Sequence, residues 1–322
     1  VLIMTDFSSL DVVVLAGGIS HERDVSLRSG RRVADGLIAQ GHRVTMLEPD
    51  ASLLAGLDAN RPDVIWPALH GASGENGALR ALLSSLGIPY VGAEAEAAGL
   101  AWSKPTAKAV VARAAVPTPA SVTLPRETFR ELGASSVLET LRARLGTPLV
   151  VKPAQGGSAQ GITIVDDADD LPRAMVDAYT YSDVALIERK ILGTEIAITV
   201  LDVDDDPVAL PAVEIEPRGG VYSFEARYNA GETRFYAPAR LAPDVAARAA
   251  ETAVTAHRTL GLRHLSRVDM IVDADGIPWF LEANVLPGLT ETSLVPQAIE
   301  AAGLDAGAVY VRLAEAAIRS AE

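Results

Sequence analysis

The stretch Arg267-Val-Asp-Met-Ile-Val-Asp-Ala-Asp-Gly-Ile-Pro-Trp-Phe-Leu-Glu-Ala-Asn284 decides how this chain is read. Two apolar-rich runs flank Asp275-Gly276, the pattern of a β-hairpin. Strand side chains alternate between faces. Arg267, Asp269 and Ile271 therefore share one face, and Val268, Met270 and Val272 the other. In the second run Phe280, Glu282 and Asn284 share a face, with Leu281 and Ala283 opposite. A four-residue loop, 274–277, sets Asp269 across from Glu282. Opposed carboxylates repel, and a cation between them would relieve the repulsion. Two carboxylates and an amide form an oxygen donor set suited to Mg²⁺, and Arg267 adds a donor for a transferred phosphate or an oxyanion. The same residues also fit an ordinary solvated polar face, and a one-residue slip would scatter the set. Both readings stand at this point.

Working outward, 322 residues exceed one hydrophobic core, so two or three domains are expected. The balance of 28 basic against 42 acidic residues argues against a nucleic-acid-binding surface. The chain has no cysteine, which excludes disulfides, thiolate chemistry and Cys-ligated zinc and points to a reducing cytoplasm. No uncharged apolar run reaches membrane-spanning length, and the order of a signal peptide is missing. Residues 1–9 read as a tail, with Met4 a candidate start.

Strands near 11–16, 44–47 and 64–69 alternate with helical sequence at 25–40 and at Leu79, Leu82, Leu83 and Leu86, which predicts a parallel α/β sheet. One Ala-rich helix is expected over 95–115, a linker at Val116-Pro-Thr-Pro119, and another helix over 127–145. Strands at 149–152, 161–165 and 184–188 with a helix at 169–179 complete a small α+β unit. Beyond it lie strands at 195–201 and 208–215, an irregular stretch at 219–238 suited to an ordered functional loop, a helix at 244–260, the hairpin, and a helix at 306–319.

The remaining motifs each carry two readings. Gly17-Gly18 follows a strand but lacks the Gly-x-Gly-x-x-Gly spacing, which disfavours an NAD-dependent oxidoreductase and leaves a tight turn. Glu22 lies where open α/β sheets bind ligands, or is a solvated helix-start acid. Gly156-Gly-Ser-Ala-Gln-Gly161 is no Walker A motif, because Ile162 stands where the lysine belongs. Its backbone N–H groups could still cover a phosphate, or it merely joins two strands. Lys152 on a strand is costly to bury without an anion. His70 reads by default as a structural histidine and Arg227-Tyr228 as a surface pair. There is no Ser-His-Asp order or zinc spacing.

In combination, the chain resembles the D-alanine–D-alanine ligases of the ATP-grasp superfamily. The resemblance runs from Val12 to Leu313. It rests on Gly17-Gly-Ile-Ser-His-Glu-Arg-Asp-Val-Ser26, Leu69-His-Gly71, Gly74-Glu-Asn-Gly77, Gly87-Ile-Pro-Tyr-Val-Gly92, Val151-Lys-Pro-Ala154 with its Gly/Ser loop, Leu186-Ile-Glu-Arg189, Tyr222-Ser-Phe-Glu-Ala-Arg-Tyr228, Arg267-Val-Asp269 and Leu281-Glu-Ala-Asn-Val-Leu-Pro-Gly-Leu-Thr290 with Ser293-Leu294. It implies an α/β and α+β chain in three domains, 1–93, 94–187 and 188–322, with a parallel N-terminal sheet and ATP held between two antiparallel sheets. By position Lys104 and Lys152 would bind phosphates, Glu188, Arg189, Lys190 and Ile191 the adenine, and Glu195 the ribose. Arg227, in the lid, would bind ATP. Asp269, Glu282 and Asn284 would ligate two Mg²⁺ ions, with Mn²⁺ a substitute and a monovalent cation an accessory. Glu22 would meet the first D-alanine's ammonium and His70 lie near its carboxylate. Arg267 and the Gly288 N–H would stabilise the oxyanion. Ser293 and Leu294 would hold the second D-alanine's carboxylate. Glu22, Ser158 and Tyr228 would link the lid to the site. The implied protein is a cytoplasmic homodimer making a cell-wall dipeptide from D-alanine and ATP, with no nucleic-acid or membrane partner. Departures are Arg227 for a usual lysine, Gln155 and Gln160 in the glycine loop, Val285 for a threonine, and Thr292. They leave open another second substrate, or an ATP-binding homologue without turnover.

Overall fold

A computed structural model describes residues 9–204, 206–220, 222, 226, 227 and 231–321. The tail 1–8 and Tyr228 lie outside the described residues.

Near the N-terminus, β1 (Asp11–Leu15), β2 (Arg43–Leu47) and β3 (Val64–Pro67) form a parallel sheet in the order β2-β1-β3. Alternate residues of β1 serve two cores. Val12 and Val14 meet helices Arg23–Ala39 and Ala306–Arg319, whereas Val13 and Leu15 meet Leu53, Leu57 and Leu83. Trp66 packs edge-on against Tyr310 with ring centroids 5.3 Å apart, a favoured aromatic geometry.

The second sheet is antiparallel, ordered β4-β7-β5-β6, from β4 (Ser121–Pro125), β5 (Leu149–Pro153), β6 (Thr163–Val165) and β7 (Val184–Arg189). Leu149, Val151, Ala185 and Ile187 point to a core capped by helices Ala134–Leu145 and Leu171–Tyr181. The opposite face of the same strands carries Val150, Lys152 and Glu188.

The third sheet holds β8 (Thr194–Asp202), β9 (Val208–Ala209), β10 (Val213–Pro217), β11 (Thr233–Tyr236), β12 (His264–Val272) and β13 (Pro278–Asn284). Its order is β11-β10-β8-β12-β13, with β9 paired to β8. Ile196, Ile198, Val200, Val268, Met270 and Phe280 bury against helix Pro243–Thr259 and the alanines near 97–107. The other face presents Glu195, Asp269, Ile271 and Glu282 toward Lys152 and Glu188 of the second sheet across a common cleft. The chain crosses between the sheets at Gly193, where a Cβ would lie 2.0 Å from the Val272 carbonyl oxygen.

Several expectations need correction. In the hairpin Arg267 pairs with Asn284 and Asp269 with Glu282 as expected. The register then shifts by one, so Met270 pairs with Phe280 and Val272 with Pro278. A bulge at Leu281 causes this. It turns Phe280 into the core and Leu281 into the cleft, the reverse of their period-two assignment. The helix expected over 95–115 is two, Ala95–Trp102 and Lys104–Arg113, broken at extended Ser103 with Pro105 starting the second. That over 127–145 is likewise two, Arg126–Leu132 and Ala134–Leu145, split at Gly133 with φ +79°. The reading over 208–215 resolves into β9 and β10. Strands β4 and β11 and helix Leu294–Ala301 had not been anticipated.

Candidate active site

The cleft between the antiparallel sheets has a volume of about 500 Å³. Val150, Ile162, Ile164, Leu192, Ile215, Ile271 and Leu281 give it apolar walls of the kind that take a flat ring, and Arg189, Lys190 and Ile191 lie along one side. Because β5 pairs with β7 at Val150–Glu188, Lys152 and Glu188 come up on one face. Lys152 Nζ lies 2.5 Å from Glu188 Oε1, and Lys108 pairs with the other carboxylate oxygen. All three are buried. Burial would push Glu188 up, but Lys152 and Lys108 hold it below the carboxylate range. Burial would push Lys152 down, but Glu188 and Glu282 raise it. Burial prevails at Lys108 and lowers it. Glu195, also in the cleft wall, is pushed up to about 7, chiefly by burial.

At the floor of the cleft the hairpin carries its polar set. Arg267 donates from Nε and Nη2 to the two Asp269 oxygens, both at 2.7 Å, and Asn284 Nδ2 donates to Asp269 Oδ2 at 3.1 Å. Lys104 Nζ sits 3.1 Å from Glu282 Oε2 and donates to the Gly156 carbonyl at 2.6 Å. The helix break at Ser103 is what brings Lys104 here, at the start of a new helix. Burial would raise Glu282, but Lys104, Lys152 and Arg227 hold it at about 2. Asp269 and Glu282 each face a nearby cation, Arg267 and Lys104 respectively, and inverting the Asn284 amide would present its oxygen beside them. Two carboxylates and an amide oxygen fit a hard cation that completes its shell with phosphate oxygens and water. No cluster of three His, Cys, Asp or Glu suited to a metal occurs among the described residues.

A smaller cavity of about 110 Å³ adjoins the cleft. Tyr222 and Arg227 line both. Arg227 donates from Nε to the Tyr222 carbonyl at 3.3 Å, and its guanidinium lies 4.3 Å from that ring's centroid. Around the small cavity stand Glu22, His70, Ser158, Arg267, Gly288, Ser293 and Leu294. Of the small-cavity residues anticipated from sequence, only Tyr228 falls outside the described residues. Ser158, at φ +51°, donates to Glu22 Oε1 and ties the glycine loop to the turn after β1. His70 is buried, lies 3.4 Å from the Ser29 hydroxyl, and is held below the usual histidine range by burial. Ser293 Oγ accepts from the Thr290 N–H at 3.0 Å and contacts the Thr290 hydroxyl at 2.8 Å. A Cβ on Gly288 would lie 2.9 Å from it, so a side chain there would press on Ser293. Leu294 opens helix Leu294–Ala301, where first-turn N–H groups lack intrahelical acceptors.

Sequence reasoning assigned no role to Glu75, Arg28, Tyr222 or Lys108. Glu75 Oε1 accepts from the Gly71 N–H at 2.7 Å, and burial, then Glu22, push its carboxyl up to about 8. The unfolded chain, with a value near 4.5, loses this proton first. Wild-type stability is therefore expected to fall as pH rises from 4.5 to about 8, because the fold retains a proton that the unfolded chain releases. Glu75→Gln should flatten that limb of a melting-temperature profile. An unchanged pH slope in the variant would count against a protonated Glu75.

Two antiparallel sheets that face each other across an apolar slot, with Lys152 of one opposite Glu195, Asp269 and Glu282 of the other, make up an ATP-grasp fold. The family model described as "D-ala D-ala ligase C-terminus" matches residues 110–315. The D-alanine–D-alanine ligase of Gloeobacter violaceus is 43% identical over 295 residues, covering 91% of this chain and 95% of that protein. That of Anaeromyxobacter sp. (strain K) is 39% identical and covers 94% of each. Among solved structures, D-alanine–D-alanine ligase from Bacillus anthracis superposes with a TM-score of 0.83 at 28% identity, covering 97% of this chain and 99% of that one. This chain belongs to the D-alanine–D-alanine ligase family.

Proposed function

We propose that the chain joins two D-alanines to D-alanyl-D-alanine at the expense of ATP. The observation that carries this is the meeting of two cavities at Arg227 and Tyr222. One has the size and walls for a nucleotide, and the other suits two small amino acids. Lys152 in the large cleft and Lys104, paired to Glu282 at its edge, bind phosphate oxygens, the 188–191 segment receives the adenine, and Glu195 the ribose. Asp269, Glu282 and Asn284 would hold Mg²⁺, which when bound neutralises charge on the phosphates. Glu22 meets the first D-alanine's ammonium, with His70 beside its carboxylate. A carboxylate oxygen attacks the γ-phosphorus, giving an acyl phosphate and ADP. The second D-alanine, its carboxylate held by Ser293 and the Leu294 N–H, attacks the carbonyl through its amine. The C–O bond to phosphate then breaks and inorganic phosphate leaves. Arg267 and the Gly288 N–H stabilise the intervening oxyanion. Positioning and charge compensation account for such chemistry without a nucleophilic side chain. The Ser158–Glu22 bond keeps the glycine loop over a water-sensitive intermediate.

Domains at 1–93, 94–187 and 188–322, a homodimer and a cytoplasmic setting accompany this reading. Among the described residues no helix is long and apolar enough to cross a membrane. Retention of both phosphate lysines and the hairpin set speaks against a homologue without turnover.

Purified protein with Mg²⁺ and ATP is expected to release ADP with D-alanine, but not with L-alanine alone, and to prefer D-alanine over D-lactate as acceptor. No ADP release with D-alanine would refute the activity, and D-lactate as the preferred acceptor would refute the product.

A further inference from the structure

The small cavity has a cation that the proposed reaction does not yet use. Arg28, in the second turn of helix Arg23–Ala39, lines it on the side of Thr292 and Ser293. Its Nη2 lies 3.0 Å from Glu291 Oε2, joining two segments 263 residues apart in the chain. Both side chains are more than half exposed, at 53% and 64%. Pairs so exposed contribute little to stability, so holding the fold together is a weak explanation for this one. The other cations of the wall are engaged. Arg267 spends two donors on Asp269, and Arg227 lies over Tyr222. Arg28 gives only Nη2 to Glu291, and its Nε and Nη1 have no protein partner among the described residues.

The geometry points to Arg28 as a recognition residue for the carboxylate of the second D-alanine, with Glu291 as the counter-ion that holds the guanidinium while the cavity is empty. This rests on the ligase reading above. The incoming zwitterion brings a carboxylate toward Ser293 and the Leu294 N–H. A guanidinium at the cavity wall supplies the opposite charge and two further donors. Glu291 competes with the substrate for it, so the pair sets affinity at the second position and leaves the first amino acid and ATP untouched. Arg32, one turn further along the helix, adds positive potential at Glu291.

The test separates recognition from a mere tie between helix and loop. Initial rates over a wide D-alanine range yield two apparent constants, one per subsite. Arg28→Ala is expected to raise the second by about fivefold, the scale of one exposed charge contact, with kcat and the constants for the first D-alanine and ATP unchanged. Glu291→Gln is expected to lower the second constant, because it frees Arg28. A structural tie would make both variants err in the same direction. Same-sign changes, no change in the second constant, or equal changes at both subsites overturn the inference. A melting curve for each variant establishes that it is folded. Wild-type protein runs as the control, and its failure to form dipeptide would refute the ligase reading rather than the role of Arg28.

Discussion

Asp269→Ala is expected to reduce ADP release with D-alanine by about a thousandfold or more, the scale reached when one preorganised electrostatic group leaves such a site. Asp269 is the centre of the buried hairpin set. It takes two bonds from Arg267 and one from Asn284, and it faces Glu282 across the strand pair. Burial alone would push Arg267 down, but Asp269 holds it above its ordinary range. Deleting the carboxylate therefore removes a proposed metal ligand and also strands a buried guanidinium, at a cost of about 3–5 kcal/mol in stability. Asp269→Asn keeps the shape and most hydrogen-bonding capacity, so it separates the two effects. Its melting temperature should fall less than that of the alanine variant, while its turnover should be as severely reduced. Near-normal turnover by folded Asp269→Asn would remove Asp269 from the metal site.

The second large effect is expected at Glu188. This carboxylate lies between Lys108 and Lys152, and all three side chains are buried. Glu188→Ala leaves two buried ammonium groups facing each other without the carboxylate that bridges them. The expected loss is about 3–5 kcal/mol, the penalty for breaking a buried pair on one side. Lys152 should also be displaced from the cleft, weakening ATP binding. The pH dependence has a definite sign. The folded carboxyl lies below its ordinary value of 4.5, so its stabilisation is present above that pH and is lost as pH falls through the lower folded value. The variant should lack this part of the acid limb. Urea melts at several pH values, with fluorescent-nucleotide titrations, measure both quantities. Wild-type-like stability at neutral pH would mean that the lysines do not depend on Glu188.

How far the site was legible in sequence follows from the range of the forces involved. Period-two alternation reached Arg267, Asp269, Glu282 and Asn284 because one face of a half-buried strand must be apolar. It failed at Phe280 and Leu281, where a bulge adds a residue that no pattern of alternation encodes. The break at Ser103 was readable, since Pro105 cannot sit inside a continuous helix, and Gly133 marked the other break. Strand β4 was hidden in a segment rich in turn residues, and β7 supplies its pairing from across the chain. Glu75 stands in sequence only within the motif Gly74-Glu-Asn-Gly77. Its raised value comes from burial, which is a tertiary property. Arg28 and Lys108 act through partners 263 and 80 residues away, and their roles appear only when the chain closes. Motif resemblance drew attention to residues that the structure gathers around the two cavities, but not to those whose environment is set by packing.

The central claim is that a D-alanine carboxylate oxygen is phosphorylated and leaves as phosphate. Its most direct test uses D-alanine labelled with ¹⁸O in the carboxylate, together with ATP, Mg²⁺ and the purified protein. The account predicts D-alanyl-D-alanine with one equivalent each of ADP and phosphate, the phosphate carrying one ¹⁸O atom from the first substrate. Phosphate formed without label, or released without dipeptide, would contradict it.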